Sequence, residues 1–181
     1  MKNIMLIVIA LLFASNFSCR AGYISGKEYT EDDWFDPDDT LTVWALADIQ
    51  PRNESERQAF VNAIEDMNEN VPGVDIAIVA GDIVHKPYDI IFDWYIETRD
   101  KSYVTEWYEI IGNHDLKNGM GQQFRDKLRN DVNYSLEVGN ILFIFMSDSE
   151  RGKATEISDE VFGWWKNLVV SNQDKIIVVT T

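Results

Sequence analysis

Trp107-Tyr108-Glu109-Ile110-Ile111-Gly112-Asn113-His114-Asp115 is the stretch that decides the fold. A strand-like run ends in glycine, and an amide, an imidazole and a carboxylate follow without a gap. Glycine lets a chain turn sharply at a strand end, and loops at strand ends commonly carry ligating and catalytic side chains. Two earlier apolar runs finish the same way: Leu41 to Ala47 leads into Asp48-Ile49-Gln50, and Val74 to Ala80 leads into Gly81-Asp82. Three strands, each delivering a carboxylate or amide at its C-terminal end, predict one site along the edge of an open α/β sheet.

Working outward, Glu54 to Glu69 reads as a helix with Phe60, Ala63, Ile64, Met67 and Val71 along one stripe, stopped by Pro72-Gly73. A second helix is expected over Asp89 to Asp100, and a short one with a basic face (Arg125, Lys127, Arg129) within Gly119 to Asn130. The pattern then changes. Tyr134 to Val138 alternates, Gly139-Asn140 suits a hairpin turn, and Ile141 to Met146 is apolar throughout, as expected of a strand covered on both faces. Ser158 is the expected N-cap of a helix reaching Ser171, with Val161, Trp164, Trp165, Leu168 and Val169 as its buried stripe. A last strand opens at Ile176. Asp148 ends the strand before it and reads as structural.

The 181 residues fit one domain with a sizeable core, and a formal charge of −15, from 31 acidic and 16 basic residues, disfavours nucleic-acid binding. The N-terminus reads as an export signal: Lys2 precedes an apolar run of 11 residues, Ile4 to Ala14, too short to cross a bilayer. Either cleavage follows Ala21, or Cys19, the only cysteine, becomes a lipid-modified terminus. The expected location is therefore outside the cytoplasm: secreted, periplasmic or lipid-anchored. Residues 22–40 are an acidic linker. They lack the central glycine and the spacing of a calcium loop. Residues 41–181 form the expected catalytic domain.

Oxygen donors on neighbouring strand ends suit hard divalent cations, and a shared carboxylate can bridge two of them during phosphoryl transfer. Asp82, from the middle of the series, is the natural bridge. Asp48 would hold one metal and Asn113 the other. His114 is left as a general acid or phosphate donor, with Asp115 orienting it or shaping the loop. Arg52, just past the first motif, and His85, just past the second, are candidates for contacting substrate phosphate. For Arg52 a solvated surface role is the simpler alternative, and for His85 either a surface role or a place behind the residues that touch the substrate.

At this point the sequence resembles the calcineurin-like metallophosphoesterases. Their motifs are Asp-x-His, Gly-Asp and Gly-Asn-His-Asp/Glu, each at a strand end. Asp48-Ile49-Gln50, Gly81-Asp82 and Gly112-Asn113-His114-Asp115 match them in order and spacing. The resemblance implies a sandwich of two mixed β-sheets flanked by helices and two divalent ions. It also implies hydrolysis of a small phosphorylated substrate, monoester or diester, by metal-activated water. Gln50 stands where the family usually has histidine. Branches similar to the manganese-dependent ADP-ribose/CDP-alcohol hydrolases carry the same Asp-Ile-Gln, and an amide oxygen there favours Mn²⁺, with Mg²⁺, Fe or Zn²⁺ as alternatives. The family's later histidine motifs have no counterpart, since the only histidines are His85 and His114. The expectation is that the chain is an N-terminal piece, inactive by itself. The rival reading is a binding or scaffolding protein on the same fold.

Overall fold

A computed structural model describes residues 41–116, 121–147 and 157–181. The export signal, the acidic linker and Asp148 lie outside the described residues. Three strands, β1 (Val43–Leu46), β2 (Ile76–Ala80) and β3 (Glu106–Ile110), pair in parallel in that order. Three more, β4 (Asn133–Val138), β5 (Ile141–Met146) and β6 (Ile176–Thr180), form a second sheet, antiparallel across the Gly139-Asn140 turn and parallel between β5 and β6. The expected two-sheet sandwich is therefore present, with one sheet parallel throughout and one mixed.

Helix α1 (Glu54–Asn70) links β1 to β2, and α2 (Asp89–Arg99) links β2 to β3. The short α3 (Gln122–Lys127) precedes the second sheet, and α4 (Asp159–Ser171) precedes β6. Side chains alternate across each strand, which sends them into two cores. Trp44, Leu46, Ala77, Val79 and Trp107 pack with Phe60, Ile64 and Met67 of α1, Phe92 and Tyr95 of α2, and Phe124 of α3. Val43, Ile76, Ile78 and Ile110 point the other way and meet Ile141, Phe143 and Phe145 of β5 between the sheets. Cover on both sides explains why these strands are apolar at nearly every position.

The helix ends follow ordinary capping chemistry. Asn53 Oδ1 accepts the Glu56 N–H (3.0 Å), and the Glu56 carboxylate accepts the Arg52 N–H (2.6 Å), so the loop leaving the first motif is tied to the start of α1. Ser158 Oγ accepts the Val161 N–H (3.2 Å), as expected from the sequence. The α4 stripe is less covered than expected: Val161 is buried, whereas Trp164, Trp165, Leu168 and Val169 are only half-buried.

One charge sits inside the helix-side core. Glu109 of β3 is 2% exposed and accepts from Arg99 Nη1 and from the Tyr95 hydroxyl (3.2 Å), both on α2. Burial, and then the charge of Glu109, pushes the Tyr95 phenol well above its ordinary pKa, so it stays a donor. On the other side of the same strand, the Tyr134 hydroxyl donates to the Glu109 carbonyl (2.9 Å) and so joins the two sheets. Removing one member of a buried ion pair leaves an uncompensated charge, which costs about 3–5 kcal/mol. We expect Arg99→Met to lower stability by that order in urea unfolding. The double variant Arg99→Met/Glu109→Leu should recover most of the loss. Equal losses in the two proteins would show that the ion pair is not what Arg99 supplies.

Candidate metal centre

The C-terminal ends of β1, β2 and β3 lie side by side, and backbone hydrogen bonds continue past the strands. The Asp48 N–H donates to the Gly81 carbonyl (3.3 Å) and the Gln50 N–H to the Asp82 carbonyl (3.0 Å), so the first two loops run together. Gly81 takes φ +78°, and Asp82 and Asp48 sit at φ 52° and 53°. Asparagine and aspartate tolerate that left-handed region better than other side chains, but at some cost, and such residues concentrate at functional sites.

The third loop is pressed onto the second. A Cβ on Gly112 would come within 2.2 Å of the Asp82 backbone nitrogen and 2.3 Å of Asp82 Oδ1, so only glycine fits there. Asp82 Oδ1 accepts the His114 N–H (2.9 Å). Its other oxygen faces Gln50, whose amide Nε2 lies 3.4 Å from Asp82 Oδ2 and 3.3 Å from Asp48 Oδ1. Asp82 thus stands between the first loop and the third. The Gln50 amide turns its NH₂ group toward both carboxylates, and a half-turn about the last side-chain bond presents the oxygen instead.

Asp115 occupies a different place. It is fully buried, and its carboxylate accepts the N–H groups of Gly112 (2.9 Å), Ile83 (3.2 Å) and Val84 (2.9 Å). Of the two roles considered from sequence, orienting His114 or shaping the loop, these bonds are those of loop shaping. His114 is met by His85 instead. Nδ1 of His114 lies 3.3 Å from the His85 carbonyl oxygen, and the two rings stack with centroids 5.1 Å apart and planes 29° apart. Burial, and then the His114 charge, holds His85 below the ordinary imidazole pKa. Asn113 is exposed. The Arg52 side chain, 59% exposed, lies 3.5 Å from Glu56 and makes no contact with the carboxylate pair among the described residues.

The donors gathered here are the carboxylates of Asp48 and Asp82 with the amide of Gln50, and Asn113 at the margin. All can offer oxygen, the donor set of a hard divalent cation. Two carboxylates sharing a single amide leave negative charge that a cation would balance, so the residues fit such an ion. Among the described residues there is no group of three or more His, Cys, Asp or Glu side chains that could by itself hold a metal ion. Sequence reasoning missed the His85 stack and the Ser147 hydroxyl, which donates to the Ile111 carbonyl (2.7 Å) and ties the second sheet to the third loop. Ser147 had one signal, its place as the first polar residue after the apolar β5.

Burial pushes the Asp115 carboxyl up to about 7, against three backbone N–H donors that hold it down. The folded value lies above the unfolded 3.8, so the folded state binds the extra proton and stability at this residue falls as pH rises from about 4 to 7. Asp115→Asn puts an NH₂ group against backbone donors and should destabilise by ~1–3 kcal/mol. In chelator, the gap in melting temperature between wild type and variant should narrow from pH 4 to pH 7. A gap that widens over that range would mean that Asp115 is held ionised.

Residues 41–181 match the profile of the calcineurin-like phosphoesterases. No match was found among curated proteins. Among solved structures, a purple acid phosphatase isolated from yellow lupin (Lupinus luteus) seeds superposes with a TM-score of 0.58 at 14% identity. The match covers 76% of this chain and 29% of that one, a likeness that concerns the fold. Ordered motifs, their convergence on one sheet edge and the profile match agree: the chain belongs to the calcineurin-like phosphoesterase family.

Proposed function

We propose that this chain carries the metal-binding core of a metal-dependent phosphoester hydrolase with two divalent cations, Mn²⁺ by preference, acting on a small phosphorylated substrate. The observation that carries the reading is the position of Asp82, with one oxygen facing the Gln50 amide, which also reaches Asp48, and the other on the third loop. When bound, the cations supply a water of lowered pKa and neutralise charge on the phosphoryl group. Asp82 would be the carboxylate shared by both, Asp48 and Gln50 would hold one, and Asn113 would hold the other. His114 protonates the leaving oxygen. Asp115 keeps the loop in shape, and Arg52 is the candidate for contact with the substrate phosphate.

A nitrophenyl phosphodiester, assayed with each metal after chelation, tests this in the full-length gene product. Mn²⁺ or Mg²⁺ should support turnover better than Zn²⁺. His114→Ala should lower kcat by ~10²–10⁴ with metal content near wild type, whereas Asp82→Ala should lose metal. Equal metal loss in both would contradict the division of roles. A binding or scaffolding role is the second reading, since among the described residues there is no group of three or more His, Cys, Asp or Glu side chains that could hold a metal ion. A folded full-length gene product that gives no turnover with any divalent metal would support it.

We also infer export, from Lys2 and the apolar run Ile4 to Ala14. Among the described residues no helix is long and apolar enough to cross a membrane. Mass spectrometry of the mature protein should find a chain beginning after Ala21 or a lipid on Cys19. An intact Met1 would rule both out.

A further inference from the structure

We propose that His85 is a positioning residue for His114: its carbonyl fixes the tautomer of the His114 ring and its own ring fixes the plane. A backbone carbonyl can only accept, so His114 Nδ1 must carry the proton in the contact with the His85 oxygen at 3.3 Å. Neutral imidazole in water prefers its proton on Nε2. The fold reverses that preference and leaves Nε2 as the nitrogen open to proton exchange. The stacked His85 ring, 5.1 Å away, restricts rotation of the His114 ring about its own side-chain axis. The His114 N–H on Asp82 fixes the base of the side chain. His114 is thus held at three places, two of them by His85.

The His85 side chain itself makes little use of its polarity. Its Nδ1 is buried and has no hydrogen-bond partner among the described residues. An imidazole that leaves a nitrogen unpaired in this way contributes through its flat face. The consequence for chemistry rests on the hydrolase reading, although the geometry does not. With the Nδ1 edge turned to the His85 carbonyl, Nε2 is the nitrogen through which His114 would pass a proton to the leaving oxygen.

These 181 residues hold two histidines, so their ¹⁵N imidazole spectra contain two ring patterns, while kcat is read in the full-length gene product. In chelator at about pH 8, above the ordinary imidazole range, wild type should show a pyrrole-like Nδ1 and a pyridine-like Nε2 for His114. His85→Ala keeps the carbonyl but frees the ring, and should shift the pattern toward the Nε2–H form. It should also lower kcat by ~10–100-fold, the usual loss on removing an orienting partner, with KM little changed. His85→Phe keeps a flat ring without nitrogens and should restore both the pattern and kcat. An Nε2–H pattern in wild type would overturn the proposal, as would a His85→Ala pattern identical to wild type. A His85→Phe variant as impaired as His85→Ala would show that the His85 nitrogens act, and would overturn it too. If the tautomer patterns come out as expected while no divalent metal supports turnover, the hydrolase reading fails and the positioning role stands.

Discussion

Everything at the candidate centre depends on the contact between Gly112 and the backbone of Asp82. The third loop approaches the second so closely that one added carbon would overlap the Asp82 nitrogen. That approach lets Asp82 Oδ1 reach the His114 N–H and lets the Asp115 carboxylate gather N–H groups from both loops. The first loop is joined to the second by the Asp48 and Gln50 N–H groups. A parallel sheet aligns strand ends but leaves their loops to diverge. Here backbone contacts between the loops hold four polar side chains, Asp48, Gln50, Asp82 and His114, in register.

The sheet edge is held from the core outward. β2 is buried on both faces, and on β3 Glu109 is clamped by Arg99 and Tyr95 while Tyr134 holds the same residue's carbonyl from the second sheet. Ser147 repeats that tie one step closer to the site, through the Ile111 carbonyl. The third loop therefore leaves a strand fixed from both sides. Such a base is what the strained conformations of Asp48 and Asp82 require, since left-handed φ persists only where the surroundings impose it.

The strands and helices were legible because their periods are clean: Ile141 to Met146 is a strand from end to end, and Ser158 caps α4 as its chemistry suggests. The grouping of Asp48, Gln50 and Asp82 was legible too, because parallel order puts successive strand ends on one edge. What sequence left open was the job of each side chain. Asp115 follows His114 directly, yet its carboxylate turns back to three backbone donors, and nothing in residue order encodes that turn. The contact of His85 with His114 spans 29 positions and depends on how the second loop folds over the third. The α4 stripe was over-read, because helical spacing identifies a face and not what lies against it.

The central claim is that Asp48, Gln50 and Asp82 converge on a cation. Anomalous diffraction at the manganese edge, from crystals of the full-length gene product grown with Mn²⁺, tests it most directly. The account predicts a peak within coordination distance of Asp48 and Asp82, with the Gln50 amide oxygen turned toward it and a half-turn away from the orientation seen here. A peak that avoids Asp82, or none at all while Asp48 and Asp82 remain bridged by the Gln50 NH₂ group, would contradict it.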